Sequence, residues 1–423
     1  MRIGIAGGGI AGLTLAWLID GAHESTLLES RDDLGGNLRS QHFTDAKGRM
    51  RVIELGVHSV SLEGFPLFAH VTRALGLGDT HWITAPESYT IAHRGQQRPL
   101  FQGPLTPHDE EGETEAGPPT PEARQAISML VSQAADWSSR DVARTVPLRE
   151  IVEAWPIAPG TRKTLLYALP ASIWGCTLTQ ASALSARAVA ALFANGAPTD
   201  SMPTTQSLRH GMQELARRLA AQLKTADLRP GKAIRHIHRV GKALEMVDCC
   251  GTTYPVDAVV LAVPADAATM AIQELPDAAP AVQALSRYEY AHITQGVHLD
   301  PYYLCGERRH WSTTNIALDG TWALPTVMRR FDDGSEAFVS RLDHRDSLPH
   351  QLLAQSAFRT LLPYPAVFTA QRRLQDLQGH GGIYFAGHIM AHAATQESAV
   401  ATVVDVARRL VPDSPRLAAL TAS

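Results

Sequence analysis

Lysine is almost absent from this chain of 423 residues: five positions (47, 163, 224, 232 and 242) against thirty-three arginines, and none after Lys242. Cysteine is scarce too. Cys176, Cys249, Cys250 and Cys305 include no pair at metal-ligand spacing, so the pattern reads as a reduced, cytoplasmic chain rather than a disulfide framework. Neither sign of charge dominates. Thirty-eight basic and forty-two acidic residues leave a net charge of −4, which argues against a nucleic-acid partner held by phosphate neutralisation. No apolar run reaches the roughly 18–20 residues that cross a bilayer, so no integral membrane segment is expected. The opening Met1-Arg2-Ile3-Gly4-Ile5-Ala6 lacks a convincing signal-cleavage site. What the chain has in quantity is apolar surface, 45% of residues, which rules out overall disorder and, at this length, allows two or three domains. The partner expected is a small-molecule substrate; the sequence assigns no oligomeric state.

The order of elements begins as strand, turn, helix, strand. Residues 2–6 form a short apolar run of the kind buried in a parallel sheet. Three glycines break it, residues 10–19 have helical length and composition, and 25–28 read as a second strand. Residues 53–60 read as a strand and turn, and 65–75 as an amphipathic helix stopped by Gly76. The segment 104–121, rich in proline and carrying five carboxylates, reads as an exposed loop. Helical periodicity runs through 122–200 and again through 207–223. Strand patterns follow at 233–240, 243–247, 257–264 and across 284–345. A helix near 350–362, a strand over 382–386 and a helix from about 397 to 410 complete the reading.

Gly7-x-Gly9-x-x-Gly12 lies between the first strand and the first helix, with Glu29 closing the second strand. In that context Gly7 permits a tight turn, Gly9 lets the backbone approach a pyrophosphate, and Gly12 lets helix and strand pack closely. The helix N-terminus favours an anion. Glu29 would accept hydrogen bonds from ribose hydroxyls and repel a 2′-phosphate, which disfavours NADP.

Glu29-x-Arg31, followed by Gly35-Gly36 and Arg39, resembles the flavin-dependent amine oxidase and protoporphyrinogen oxidase superfamily. There a Glu-x-Arg-x-x-x-Gly-Gly stretch follows the dinucleotide turn. The resemblance implies that Gly36 passes close to the FAD pyrophosphate with Arg31 in support. Many members carry arginine where this chain has Asn37, so the resemblance gives that role to Arg39. Residues 232–237 look like the strand whose backbone at Ile234 holds adenine, and 257–264 like the strand that re-enters the FAD domain. Residues 382–387 and 396–400 look like the closing flavin motif, with Gly387 ending a strand. Gln396, Glu397 and Ser398 then stand at a helix N-terminus facing the flavin pyrimidine, where a dipole favours negative charge. His388 stands where the family usually has aspartate.

The implied fold is α/β: a discontinuous Rossmann-like FAD-binding domain (1–65, 205–267 and 380–412) with an inserted mixed-sheet and helical substrate domain (66–204 and 268–379). Gly56-Val57-His58 resembles a Gly-x-His step near the flavin, so His58 is either a catalytic proton acceptor or substrate-orienting group, or a histidine bonded beneath the cofactor. His388 and His392 are four apart, but no metal is expected beside a flavin. Trp311, Trp322, Tyr302, Tyr303 and Asn315 fall in the expected substrate sheet, as core or as substrate-facing groups. Amine oxidases of this superfamily commonly hold a water on flavin N5 with a lysine from this part of the chain. Without one, the resemblance implies an FAD-dependent oxidoreductase taking hydride from a C–H beside nitrogen or in a conjugating ring, with dioxygen or another acceptor reoxidising the flavin. A non-redox flavoprotein (isomerase or mutase) and a catalytically silent nucleotide-binding scaffold are the alternatives.

Overall fold

A computed structural model describes residues 1–104, 120–139, 142–193, 204–241 and 243–422. Residues 105–119, most of the expected acidic loop, lie outside the described residues. The chain is α/β, with a parallel sheet beside a larger mixed one. Five strands form the parallel sheet in the order Ile383–Phe385, Ala258–Leu261, Arg2–Ala6, Glu24–Leu28, Ala226–Arg229. The strand Arg2–Ala6 is central and, beyond its first residue, fully buried, which is why its sequence is a continuous apolar run rather than an alternating one. Helix Ile10–Ile19 is buried at all ten positions. It lies between helices Gln213–Ala221 and Gln396–Leu410, so a sequence hydrophobic all round is what its position requires.

The mixed sheet has seven strands, in the order Leu352–Leu361, Tyr290–His298, Glu336–Arg341, Trp322–Arg330, Thr314–Asp319, Tyr89–His93, Phe101–Gly103. Helices between 121 and 193 pack on its Tyr89–His93 end around Ile91, Phe101, Ile316 and Leu318. Period-two alternation puts Ile293 and Gln295 on one face with Val339 and Arg341, since Gln295 pairs directly with Arg341. Three antiparallel strands, Ile234–Val240, Ala243–Asp248 and Thr253–Val256, form a separate small sheet.

Two expectations are corrected. Residues 350–362 are not helical: Leu352–Leu361 is a ten-residue strand paired along its length with Tyr290–His298, and the helix comes later, at Pro365–Asp376. Leu352, Leu353, Ala354 and Gln355 are good helix formers, but sheet pairing overrides local preference. Residues 207 and 208 belong to strand Thr204–Leu208, which pairs with Trp82–Pro86. Gly211, at φ +93°, turns the chain before helix Gln213–Ala221 begins. Helix Pro66–Ala74, on the substrate side of the expected boundary, sends Phe68 and Val71 into the cluster that holds Ile5 and Leu13.

Candidate functional site

The three motif glycines have different physical reasons. Gly7 has φ +106°, and a Cβ there would lie 2.4 Å from the Ala262 carbonyl oxygen. At Gly12 a Cβ would lie 1.9 Å from the Gly7 carbonyl oxygen. Both are demanded by the packing of the chain itself. Gly9 is not: its φ of −77° suits any residue, and a Cβ would meet only Gly36 Cα, at 3.8 Å. The space above Gly9 is therefore a cradle at the N-terminus of a ten-residue helix, where backbone N–H groups and the dipole favour an anion.

Glu29 is buried beside that cradle. Its Oε2 accepts the Gly8 N–H at 2.7 Å, and its Oε1 accepts the Ser30 hydroxyl at 3.0 Å and the Arg31 N–H at 2.9 Å. A carboxylate carries about four acceptor sites, so capacity remains for a ribose hydroxyl. The Lys232 N–H bonds the Glu29 carbonyl at 2.7 Å, which brings the buried Ile234 strand alongside. Arg31 Nη1 and Arg39 Nε both donate to the Gly36 carbonyl, each at 3.0 Å. Arg39 then turns to the mixed sheet, where Nη1 donates to Ser356 Oγ and the Ala357 carbonyl and the guanidinium covers the Phe358 ring. Burial, and then the charge of Arg31, brings Arg39 down to about 10. Open space at Gly9, the helix N-terminus, Glu29 and the nearby Arg31 fit a dinucleotide pyrophosphate and its ribose.

The closing motif meets this cradle. Gly387 (φ +71°) donates its N–H to Thr402 Oγ1 at 2.8 Å, and a Cβ there would lie 3.2 Å from Ala11 Cβ of the first helix. The segment after it opens onto a cavity of about 1390 Å³ whose wall includes Asn37, His58, Gln295, His388, His392 and Gln396. Glu397 and Ser398 are turned elsewhere. The Glu397 carboxylate accepts the N–H groups of Leu67 (3.1 Å) and Phe68 (2.9 Å), capping helix Pro66–Ala74. Ser398 is buried in the cap of its own helix, its N–H on Thr395 Oγ1. Of the three residues expected at that N-terminus, Gln396 alone is in the cavity wall. Gly56 is held against the chain at Asn37, since a Cβ would lie 1.9 Å from the Asn37 carbonyl oxygen; this fixes where His58 enters.

Burial brings His58 down to about 4, partly offset by the influence of the Glu54 backbone carbonyl. It brings His392 down to about 4 as well, helped by the charges of Arg144 and Arg187, and lowers His388. All three imidazoles are neutral at pH 7. No metal-binding cluster of three or more His, Cys, Asp or Glu occurs among the described residues. Glu54, the last residue of strand Met50–Glu54 and four residues before His58, is pushed up to about 7 by burial, although it accepts the Met212 N–H at 2.9 Å and the Ser40 hydroxyl at 2.8 Å. Glu87 is also raised, by burial, with the Tyr89 hydroxyl donating to it at 2.6 Å. The wall's arginines, at 51, 209, 329, 330, 341 and 359, outnumber its carboxylates, at 54, 63, 87 and 332.

Of the aromatic group singled out in the sequence, Trp311 lines the cavity and the other four do not. Tyr302 is exposed, Trp322 stacks on His344, and Asn315 is buried in hydrogen bonds with Ser312 and Thr326. Glu54 and Arg341 were not singled out. Alternation within a strand was the available signal for both, but it does not say which face borders a cavity.

Residues 10–299 match the model of the family described as flavin containing amine oxidoreductase. No curated protein matches the chain. Similar solved structures include a protein described as a protoporphyrinogen oxidase from Exiguobacterium sp. 255-15, at 18% identity and TM-score 0.65, covering 97% of this chain and 98% of that one. A CLA-producing fatty acid isomerase from P. acnes, at 14% identity and TM-score 0.67, covers 97% and 98%. Putrescine oxidase bound to putrescine, at 15% identity and TM-score 0.65, covers 97% and 99%. At these identities the likeness carries the fold and no substrate. No helix among the described residues is long and apolar enough to cross a membrane.

Proposed function

The chain belongs to the flavin-containing amine oxidoreductases, and we propose that it is an FAD-dependent oxidoreductase acting on a C–H beside nitrogen or in a conjugating ring. The supporting observation is the junction at Gly387: the dinucleotide cradle and the large cavity meet there, and His388, His392 and Gln396 enter the cavity wall directly after it. Bound FAD would supply the hydride acceptor. Gly9, Glu29, Arg31, Gly36 and Ile234 would hold its nucleotide half, within a domain drawn from 1–65, 205–267 and 380–412. Residues 66–204 and 268–379 would form the substrate side.

The protein's own contribution is orientation and exclusion of water. Burial holds the His58 imidazole in its neutral form, in which one ring nitrogen is a donor and the other an acceptor. An imidazole held at about 4 is too weak a base to draw a proton efficiently at neutral pH. Its role is then to orient a substrate N–H or O–H. No lysine follows Lys242, so a lysine-held water on the cofactor is not part of this reading.

The test is to purify the protein, measure flavin released on denaturation, and screen for anaerobic loss of the oxidised flavin band with amines, amino acids, tetrapyrrole precursors and small cyclic imines. Bleaching by one class supports the reading. Colourless protein that releases no flavin overturns it. Turnover of a compound to an isomer, with no acceptor reduced, replaces oxidation with the non-redox alternative.

A further inference from the structure

Two of the four cysteines are exposed, and they are neighbours in the chain. Cys249 and Cys250 lie in the turn between strands Ala243–Asp248 and Thr253–Val256, whereas Cys176 is buried and Cys305 half-buried. Their sulfurs are 4.0 Å apart. The turn is held from beneath by Asp248, which is buried. Its Oδ1 accepts the N–H groups of Cys250 at 2.8 Å and Thr252 at 2.9 Å, and its Oδ2 accepts the Tyr254 hydroxyl at 3.0 Å. The Cys249 N–H bonds the Ala233 carbonyl at 2.8 Å, and Gly251, at φ +82°, places its N–H on the Asp248 carbonyl at 3.0 Å. Both sulfurs face the loop at Gly231 and Lys232: the Lys232 ammonium donates to Cys250 Sγ at 3.1 Å, and Cys249 Sγ lies 3.8 Å from the Gly231 carbonyl oxygen. The Lys232 N–H bonds the Glu29 carbonyl at 2.7 Å, so the pair stands behind the loop that flanks the dinucleotide cradle. Neither cysteine is in the cavity wall.

Neighbouring residues are poor disulfide partners. Consecutive Cα atoms are about 3.8 Å apart, short of the roughly 4.4–6.8 Å that a disulfide spans. The pair therefore stands as two thiols. Sulfurs 4.0 Å apart can both bond one atom at roughly 2.3 Å from each, the length of a zinc–sulfur bond. Thiolate donors select soft, thiophilic centres. A structural zinc ion takes four ligands, and no cluster of three or more His, Cys, Asp or Glu occurs among the described residues. The donor count thus selects a centre completed by two sulfurs and a carbon substituent of its own, which is trivalent arsenic bearing one organic group.

We propose that Cys249 and Cys250 form an exposed dithiol site for a monosubstituted trivalent arsenical, separate from the cavity and independent of the reaction assigned to it. On binding, two As–S bonds form and two As–OH bonds break. Each hydroxyl leaves as water with one thiol proton, and neither arsenic nor sulfur changes oxidation state.

The experiment is intact-mass spectrometry of the purified holoenzyme treated with phenylarsine oxide, which water converts to the dihydroxy form. Excess 2-mercaptoethanol is present, a monothiol that strips arsenic from single cysteines. The wild type keeps one phenylarsenic group per chain, and the dithiol 2,3-dimercaptopropanol removes it. In Cys249→Ser and in Cys250→Ser the concentration needed for half-labelling rises at least about tenfold, and in Cys305→Ser it is unchanged. A wild type that keeps no adduct overturns the proposal. So does labelling that is unaltered in Cys249→Ser or in Cys250→Ser. If either variant does not fold, peptide mapping of the labelled wild type decides: arsenic on the peptide that holds both residues supports the site, and arsenic on Cys176 or Cys305 overturns it.

Discussion

Changing Gly9 and Gly12 separately to alanine distinguishes a glycine kept for a ligand from one kept for the fold. At Gly12 an added Cβ falls 1.9 Å from the Gly7 carbonyl oxygen, well inside contact distance, so strand and helix must part. Overpacking of this kind destabilises by about 1–3 kcal/mol, while replacing glycine by alanine inside a helix returns about 1 kcal/mol. A contact at 1.9 Å with a backbone oxygen belongs at the upper end of that range, so the net expectation for Gly12→Ala is a loss of about 2 kcal/mol in the apoprotein. At Gly9 the nearest atom to an added Cβ is 3.8 Å away and φ is −77°. The apoprotein should change by less than about 1 kcal/mol, the difference between glycine and alanine at an N-cap. The methyl group instead occupies the space assigned to the pyrophosphate, and FAD should bind roughly 5–150-fold more weakly. Urea denaturation of flavin-stripped protein and FAD titration by fluorescence measure the two quantities independently. The reasoning fails if Gly9→Ala destabilises the apoprotein as much as Gly12→Ala does, or if it binds FAD with unchanged affinity.

Three further outcomes are expected. The Glu54 carboxyl, at about 7 when folded against an ordinary 4.5, keeps its proton where the unfolded chain has lost it. Its stabilising effect is present below pH 4.5 and is lost as pH rises to about 7, by about 3 kcal/mol in all. The stability difference between wild type and Glu54→Gln in guanidinium should therefore fall over that window and level off above it; a difference independent of pH contradicts this. His58→Gln should slow anaerobic bleaching at saturating substrate without altering flavin content, because the imidazole is assigned to orientation, and an unchanged rate removes it from the site. Glu397→Ala should cost about 1–3 kcal/mol through the uncapped Leu67 and Phe68 N–H groups and leave flavin content unchanged. Loss of flavin there would instead return Glu397 to the cofactor.

The nucleotide end was legible because its constraints are local. A parallel-sheet strand, a helix and the glycines between them fall within the first 19 residues, where Gly12 is dictated by the Gly7 carbonyl and Gly7 by its own φ of +106°, although the Ala262 carbonyl, distant in sequence, crowds it as well. The sequence also placed Gly387 and helix Gln396–Leu410 to within a residue. It misassigned what distant partners decide. Leu352–Leu361 is composed like a helix and becomes a strand because Tyr290–His298 lies beside it. Glu397 occupies the expected first turn, but the free amides of helix Pro66–Ala74, some 330 residues earlier, claim its carboxylate. Arg341 could not be found by motif or spacing, since its unsatisfied donors exist only once the sheet and helix Ala168–Trp174 enclose it.

The central claim is that the cradle at Gly9 and the cavity beyond Gly387 hold one cofactor and one substrate site. The most direct measurement is the absorbance of purified protein, before and after denaturation, followed by an anaerobic titration with amines, amino acids, tetrapyrrole precursors and small cyclic imines. The account predicts a yellow protein that releases about one FAD per chain and loses its oxidised flavin band with at least one such compound. A colourless protein that neither releases FAD nor takes it up on reconstitution would contradict it.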